Sequence, residues 1–252
     1  MSAFYDSYDY SAYWQGREYE HQAEIIAISE FLKKIKHINR AIEIGGGFGR
    51  LLPFYVYRTK TSFLTEPSSK LLALAKKNNK NFKNVKYLQS TLDNLGKRVR
   101  KNSFDLVLMI RVMHHMGNPD KTFAEISNLI SSDGYLILEF ANKIHFKNVV
   151  EHVIKKDFTF WGDTTTIDVR SKKSKRNKTI AFLNYHPNVI KEKLKENNFE
   201  IIEIRSVSNI RSSWAKTHLP RTFLLEIEKL LQIPFSYFYF GPSIFVLAKK
   251  KG

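Results

Sequence analysis

The feature that most constrains the fold is a regular alternation of short apolar runs with longer helical stretches. One run, Phe104–Ile110 (FDLVLMI), is almost continuously apolar, which is typical of a central strand buried on both faces. Such alternation favours stacked βαβ units, and therefore an α/β fold with a mostly parallel sheet. The predicted strands are Arg40–Ile44, Ser62–Thr65, Val85–Gln89, Phe104–Ile110, Gly134–Phe140, Phe199–Val207 and Ser243–Ala248.

The composition excludes several classes of protein. The 252 residues are 43% hydrophobic and 26% charged, an ordinary globular balance that one α/β domain accommodates. No cysteine is present, which excludes a disulfide scaffold, thiolate metal sites and a cysteine nucleophile. The longest nearly apolar stretch, Pro234–Ala248, is too short and too interrupted to span a bilayer. Because the N-terminus is acidic and aromatic, unlike a signal peptide, we expect a cytoplasmic protein, and we expect no metal site.

The formal net charge of +17 raises the question of an anionic partner. The densest basic run, Arg170–Lys178, carries six positive charges and no negative one. It is interpreted either as a solvated, mobile loop or as a contact for nucleic acid. The aromatic segment Phe235–Phe240 is similarly open to two interpretations, as part of the core or as a contact for a membrane or lipid.

A glycine-rich loop is the most informative motif. Gly45-Gly46-Gly47-Phe48-Gly49 follows a predicted strand directly and precedes a helical stretch. Glycines allow positive φ and close approach of a ligand, and a helix N-terminus offers free N–H groups. The dinucleotide fingerprint does not fit, since Arg50 stands where its third glycine belongs, and no Walker A sequence is present.

The pattern Glu43-x-Gly45-x-Gly47-x-Gly49 resembles the first motif of the class I S-adenosylmethionine (SAM)-dependent methyltransferases, in particular the type 11-like domain family. Later segments also resemble that family in order and spacing, from Glu66 after the second strand to Arg111-Val-Met-His-His after the fourth. The resemblance implies a Rossmann-like sheet of seven strands with helices on both faces and an antiparallel last strand. The chain would form a single domain with four parts: an N-terminal helical lid (residues 1–36), a SAM-binding core (37–141), a substrate-side insertion (142–180) and C-terminal helices and strands (181–252). A second insertion would lie between the sixth and seventh predicted strands.

The resemblance also implies SAM as the cofactor and assigns roles to residues. Glu66 would bind the ribose hydroxyls, and adenine would be recognised by Thr91, by the backbone near Leu92 or by Asp93. Arg111 would pair with the methionine carboxylate or remain an exposed cation at the rim. Tyr13 and Arg17 would contact the cofactor from the lid. The candidate cofactor-binding residues are Glu43, Gly45, Gly46, Gly47, Gly49, Glu66, Pro67, Thr91, Leu92, Arg111, Tyr13 and Arg17.

The methyl acceptor is less constrained. His114 and His115 are candidates for a general base, since imidazole titrates near neutral pH, or for residues that pack the loop. We expect a small-molecule or metabolite acceptor. The alternatives are an RNA methyltransferase that uses the basic surface, and a non-catalytic module of the same fold that binds nucleic acid or a membrane surface.

Overall fold

The fold is built on one large twisted sheet and one small sheet. The computed structural model describes residues 10, 12–177 and 179–252. Its strands are β1 (Ile38–Ile44), β2 (Thr59–Thr65), β3 (Val85–Leu88), β4 (Phe104–Met109), β5 (Ile130–Ala141), β6 (Ile167–Asp168), β7 (Leu183–Asn184), β8 (Phe199–Val207) and β9 (Ser243–Lys250). The large sheet has the order β3-β2-β1-β4-β5-β9-β8, and β6 pairs only with β7.

The strand pairing creates a crevice at the middle of the large sheet. β1 pairs in parallel with both β2 and β4, and β5 continues the parallel arrangement beside β4. β9 is antiparallel to its neighbours β5 and β8. The predicted seven-stranded, mostly parallel sheet with an antiparallel last strand is therefore confirmed. Because the chain runs outward from β1 to β3 and then crosses back to β4, the carboxyl ends of β1 and β4 border the crevice where such sheets bind ligands.

Helices cover both faces of the large sheet, and β4 shows why its sequence is apolar throughout. Leu106 and Leu108 belong to one buried cluster, and Val107 and Met109 belong to another on the opposite face. The helices are α1 (Glu18–Lys33), α2 (Leu52–Tyr55), α3 (Ser69–Asn78), α4 (Leu92–Leu95), α5 (Pro119–Leu129), α6 (Phe146–Ile154), α7 (Lys172–Arg176), α8 (Pro187–Glu196), α9 (Ser213–His218) and α10 (Arg221–Leu231).

The basic run contains a short helix. Its centre forms α7, which begins where the Ser171 hydroxyl accepts a hydrogen bond from Ser174 N at 3.1 Å. Arg170 Nη2 lies 2.7 Å from a carboxylate oxygen of Asp168, so part of its charge is neutralised. The interpretation as a loop was therefore wrong for Lys172–Arg176, where a serine N-cap begins a helix, whereas the lysine and arginine side chains of this helix are exposed, as expected of a solvated segment. Lys178 lies outside the described residues.

The two insertions lie where the sequence placed them. α6, β6, α7 and β7 follow β5, and α9 and α10 lie between β8 and β9. The second insertion forms two helices rather than one, since Pro220 keeps Leu219 in an extended conformation. In the Phe235–Phe240 segment, Tyr237 and Phe238 are 77% and 68% exposed, so these two side chains are not part of the core.

A buried carboxylate fastens α10 to α1 and to the chain that leaves β8. Glu228 accepts hydrogen bonds from the hydroxyl of Tyr19 at 2.5 Å and from the backbone N–H groups of Ser208 at 2.8 Å and Asn209 at 3.0 Å. Burial raises the pKa of Glu228, and the hydrogen bond from Tyr19 works in the opposite direction. This one side chain therefore joins segments that lie far apart in the sequence.

We predict that Glu228→Ala lowers the free energy of unfolding by about 3 kcal/mol or more, because several buried donors lose their acceptor at once. Urea unfolding followed by circular dichroism measures the change. Glu226→Ala, an exposed position on the same helix, is the matched control and should change stability by less than about 0.5 kcal/mol. Equal unfolding midpoints for the two variants would show that Glu228 does not fasten these segments.

Candidate active site

The glycine loop turns sharply between β1 and α2. Gly45, Gly47 and Gly49 have positive φ angles of 66°, 57° and 76°, a conformation that side chains disfavour. A Cβ at Gly45 would lie 2.5 Å from the Val112 side chain, so this glycine lets the loop after β4 approach closely. A Cβ at Gly47 would instead lie 3.4 Å from the ring of Tyr10, at the open side of the loop. The absence of a side chain at Gly47 therefore leaves open the space between the loop and Tyr10, which faces a cavity.

Glu66, at the carboxyl end of β2, faces the glycine loop. Its carboxylate accepts hydrogen bonds from Gly47 N at 3.0 Å and from Ser68 N at 2.9 Å. The side chain is buried, yet it lines the cavity beside the loop. Because each carboxylate oxygen accepts more than one hydrogen bond, Glu66 is able to hold the loop and a hydroxyl-bearing ligand together.

A cavity of about 270 Å³ lies at the carboxyl ends of β1, β2, β3 and β4. Its wall is mostly apolar, as is usual for cofactor pockets. Asp93 does not line it; this exposed carboxylate lies 2.8 Å from the Nζ of Lys121 instead. The predicted cofactor residues on the wall are Gly45, Gly47, Glu66, Pro67, Thr91, Leu92 and Arg111.

Other predicted residues lie beside this cavity rather than on it. Gly46 and Glu43 line a small pocket under the glycine loop, and Gly49 lines neither. Burial raises the pKa of Glu43 to about 7, although its hydrogen bond from Tyr55 Oη at 2.8 Å acts in the opposite direction. Glu43 thus supports the loop from below.

A buried ion cluster, which was not predicted from the sequence, lies next to the glycine loop. Glu24 of α1 is fully buried and lies 2.5 Å from Arg50 Nη2 and 2.6 Å from Arg111 Nε. Burial alone raises the pKa of Glu24, but Arg111 and Arg50 outweigh it and hold the pKa below its ordinary value. Two guanidinium groups share this one carboxylate as their ion-pair partner, and the buried Glu139 carboxylate also acts on the charge of Arg111. The only sequence signal was one acid within the apolar run AEIIAI.

A second cavity, of about 520 Å³, opens on the other side of Arg111. Arg111 lines both cavities, so the two meet at this residue. The predicted lid residues Tyr13 and Arg17 lie on the second cavity, whereas Tyr10 lies on the first. Residues 1–9 and 11 of the predicted lid lie outside the described residues. The second cavity lies between the start of α1, the end of β5 and the chain leaving β8.

The two candidate histidines lie at the border between the cavities. His115 lines the first cavity and places Nδ1 2.7 Å from the carbonyl oxygen of Ala181, which indicates that Nδ1 carries a proton. His114 lines the second cavity and stacks on Phe182 at 4.3 Å. Burial, together with His115 and Arg111, holds the pKa of His114 well below its usual value. His114 is therefore neutral at pH 7 and is a weak base.

Glu139, at the end of β5, is a second acid that was not predicted. Its side chain is buried on the wall of the second cavity, accepts a hydrogen bond from Arg111 N at 2.8 Å and is hydrogen-bonded by the hydroxyl of Ser243. Arg111 has a φ of 60°, and this hydrogen bond helps to hold that unusual conformation. Burial raises the pKa of Glu139 although Arg111 opposes the change. A buried carboxylate of raised pKa in a cleft is suited to accept a proton.

Comparison with known proteins identifies the domain that carries the first cavity. A family model described as a methyltransferase domain matches residues 42–138, from β1 to β5. A search of curated protein sequences found no relative of this chain. Among the residues that the structure describes, no helix is long and apolar enough to cross a membrane.

Solved structures share the architecture of nearly the whole chain. A possible histamine N-methyltransferase from Thermotoga maritima is 17% identical and has a TM-score of 0.62, with 98% of this chain and 99% of that chain covered. A methyltransferase in complex with the Trm112 activator of Haloferax volcanii is 12% identical and has a TM-score of 0.64, with 100% of this chain and 99% of that chain covered.

Magnesium protoporphyrin IX methyltransferase from Synechocystis, solved with bound S-adenosylhomocysteine (SAH), is 16% identical and has a TM-score of 0.57. The match covers 92% of this chain and 84% of that chain. At these identities the solved structures show the fold, and the family model identifies the domain from β1 to β5. Residues 42–138 therefore match a methyltransferase domain, and the chain as a whole has the fold of SAM-dependent methyltransferases of known structure.

Proposed function

We propose that the protein transfers the methyl group of SAM to a small-molecule acceptor that binds in the second cavity. The observation that supports this most directly is the juxtaposition of two cavities that meet at Arg111, one built by the methyltransferase domain and the other largely by segments outside it. A concave pocket of about 520 Å³ has the size that small-molecule sites usually have. We further propose that both cavities belong to a single domain.

The first cavity fits the cofactor. Gly47 leaves space where a Cβ would approach Tyr10, and the carboxylate of Glu66 faces that space. We propose that Glu66 accepts hydrogen bonds from the ribose hydroxyls and that Thr91 and Leu92 flank the adenine, beside Pro67. Arg111, with Arg50 behind Glu24, supplies the positive charge for the methionine carboxylate. The sulfonium of SAM supplies an already activated methyl group, so the protein chiefly has to align the acceptor and exclude water.

Glu139 is the stronger candidate for a general base, where the acceptor must lose a proton. Burial acts on the two groups in opposite directions, since it lowers the pKa of His114 and raises the pKa of Glu139. Glu139 faces the second cavity and has a raised pKa, which brings its proton affinity closer to neutral pH. We propose that Glu139 takes the proton of the acceptor while its hydrogen bond from Arg111 N holds it in place.

A test of the cofactor site is Glu66→Gln. We expect the dissociation constants of SAM and SAH, measured by titration calorimetry, to rise about 30- to 100-fold, because charge-assisted hydrogen bonds to a diol contribute about 2–3 kcal/mol. Asp93→Asn, close in sequence but directed to Lys121, is the control and should bind both ligands normally. Thermal unfolding of the unliganded variants separates a damaged loop from a lost contact. Unchanged affinity in a folded Glu66→Gln variant would exclude the ribose role.

The proton-transfer role is tested with Glu139→Gln, which preserves the shape of the side chain. We expect methyl transfer to fall about 100-fold, the usual contribution of a positioned base, with SAH affinity close to that of the wild type. In the wild type the rate should fall as the pH drops through the raised pKa of Glu139, because only the ionised carboxylate accepts a proton. A variant that keeps both the wild-type rate and its pH profile would contradict this role.

The acceptor class is tested by incubating the enzyme with methyl-labelled SAM and a cell extract separated into small-molecule, lipid, protein and RNA fractions. We expect label in the small-molecule fraction. Substituting Lys172, Lys173 and Arg176 of α7 by glutamine should leave that transfer unchanged, because these side chains line neither the first nor the second cavity. Label confined to RNA, and lost in the α7 variant together with salt-dependent RNA binding, would establish the RNA methyltransferase alternative instead.

A further inference from the structure

The second cavity has a surplus of positive charge. Its described lining holds two acids, Glu20 and Glu139, and four basic side chains. Lys216 is paired with Glu20 at 2.5 Å, and Arg111 is paired with Glu24 and also feels the charge of Glu139. Arg17 and Arg211 line the same cavity, and neither forms an ion pair within the described part of the chain. The guanidinium of Arg17 lies over the ring of Tyr13, 4.2 Å from its centroid. Two guanidinium groups that no carboxylate neutralises therefore face one pocket.

His145 adds a directed hydrogen-bond donor to this wall. It precedes α6, and its Nδ1 accepts a hydrogen bond from Asn148 N at 3.4 Å. The proton of the neutral ring is then on Nε2, on the opposite side of the imidazole. Burial, with the neighbouring charges of Arg211 and Lys147, lowers the pKa of His145 to about 4. These basic neighbours indicate a positive field at this wall of the cavity.

Two buried polar atoms on the wall lack a partner. Asn184 Oδ1 and Ser208 Oγ form no hydrogen bond among the described residues, and both residues line the second cavity. Buried polar atoms in folded proteins are nearly always hydrogen-bonded, and an unpaired one has a free-energy cost of about 1–3 kcal/mol. An unpaired carboxamide oxygen and an unpaired hydroxyl on a cavity wall are suited to a ligand that carries hydroxyl or amine groups.

We infer that the second cavity binds a small anionic acceptor, which carries a carboxylate or phosphate group held by Arg17, Arg211 and His145 and a hydroxyl or amine group held by Asn184 and Ser208. This inference rests on the proposed function and specifies its substrate class. Arg17, His145 and Arg211 lie outside the matched residues 42–138, in the N-terminal segment and in the chain that follows β5 and β8. The selectivity for an anion would thus belong to the additions to the common domain.

Guanidinium groups are well suited to both anions, because their N–H groups match carboxylate and phosphate oxygens in pairs. The neutral imidazole of His145 contributes one N–H donor, and among the described residues His145 is not paired with a carboxylate. The anionic group would anchor the acceptor at the rim, and the reacting atom would lie deeper, towards His114, Glu139 and Arg111 on the same wall.

The test uses the complex with SAH, titrated separately with inorganic phosphate and with citrate at constant ionic strength. We expect saturable binding of at least one of the two anions, and the stronger of the two indicates whether phosphate or carboxylate is preferred. Arg211→Gln should weaken that binding about tenfold or more, and Arg17→Gln should do the same. The matched control is Lys172→Gln, which removes one positive charge from α7 and does not line this cavity.

Several outcomes would overturn the inference. The first is a wild-type SAH complex that binds neither anion. The second is an anion affinity that Lys172→Gln weakens as much as Arg211→Gln does, which would indicate a general charge effect. A third is normal binding in both Arg17→Gln and Arg211→Gln. Separate titration of SAH distinguishes this failure from failure of the proposed function: if SAH itself does not bind, the cofactor assignment is wrong, whereas normal SAH binding without anion binding rejects only the acceptor class.

Discussion

The buried carboxylate of Glu24 is the interaction on which the arrangement of the site depends. It joins α1 to Arg50, which follows the glycine loop, and to Arg111, which follows β4. The two guanidinium groups compensate for the burial of the acid, and the acid in turn keeps two like charges close together. Trp14 stacks over Arg50 at 3.6 Å and closes the cluster from the N-terminal side. The border between the two cavities is therefore set by charges brought together from three separate parts of the chain.

The two cavities differ in the polar groups that line them, in keeping with the different ligands proposed for them. The first has a mostly apolar wall and few polar groups, chiefly Glu66 and the backbone of the glycine loop, and it is built by the shared methyltransferase domain. The second contains unpaired guanidinium groups, a directed imidazole and unpaired oxygens. Backbone geometry at a strand–loop–helix junction is easily preserved among distant relatives, whereas side chains on insertions vary freely and select different acceptors. Structures with 12–17% identity to this chain accordingly share its fold without specifying its substrate.

The parts of the site that were predictable from the sequence are the local ones. The glycine loop and Glu66 each lie directly after a predicted strand, and parallel strands bring their carboxyl ends to the same edge, so both were expected at one crevice. Glu24 and Glu139 were missed because their partners are distant: Arg111 is 87 residues from Glu24 and 28 residues from Glu139. A single acid in an apolar run indicates burial but does not identify its partner. Tyr13 and Arg17, which were expected at the cofactor, line the second cavity, and their contact with the cofactor stays a prediction.

In the proposed arrangement, the cofactor and the acceptor occupy adjoining cavities that share Arg111. A crystal structure of the complex with SAH tests it most directly. We expect adenosine in the first cavity, with the ribose hydroxyls on Glu66 and the sulfur at the opening towards His114 and Glu139. A complex in which the sulfur faces away from the second cavity, or in which the nucleoside lies outside the wall formed by Gly47 and Glu66, would contradict it.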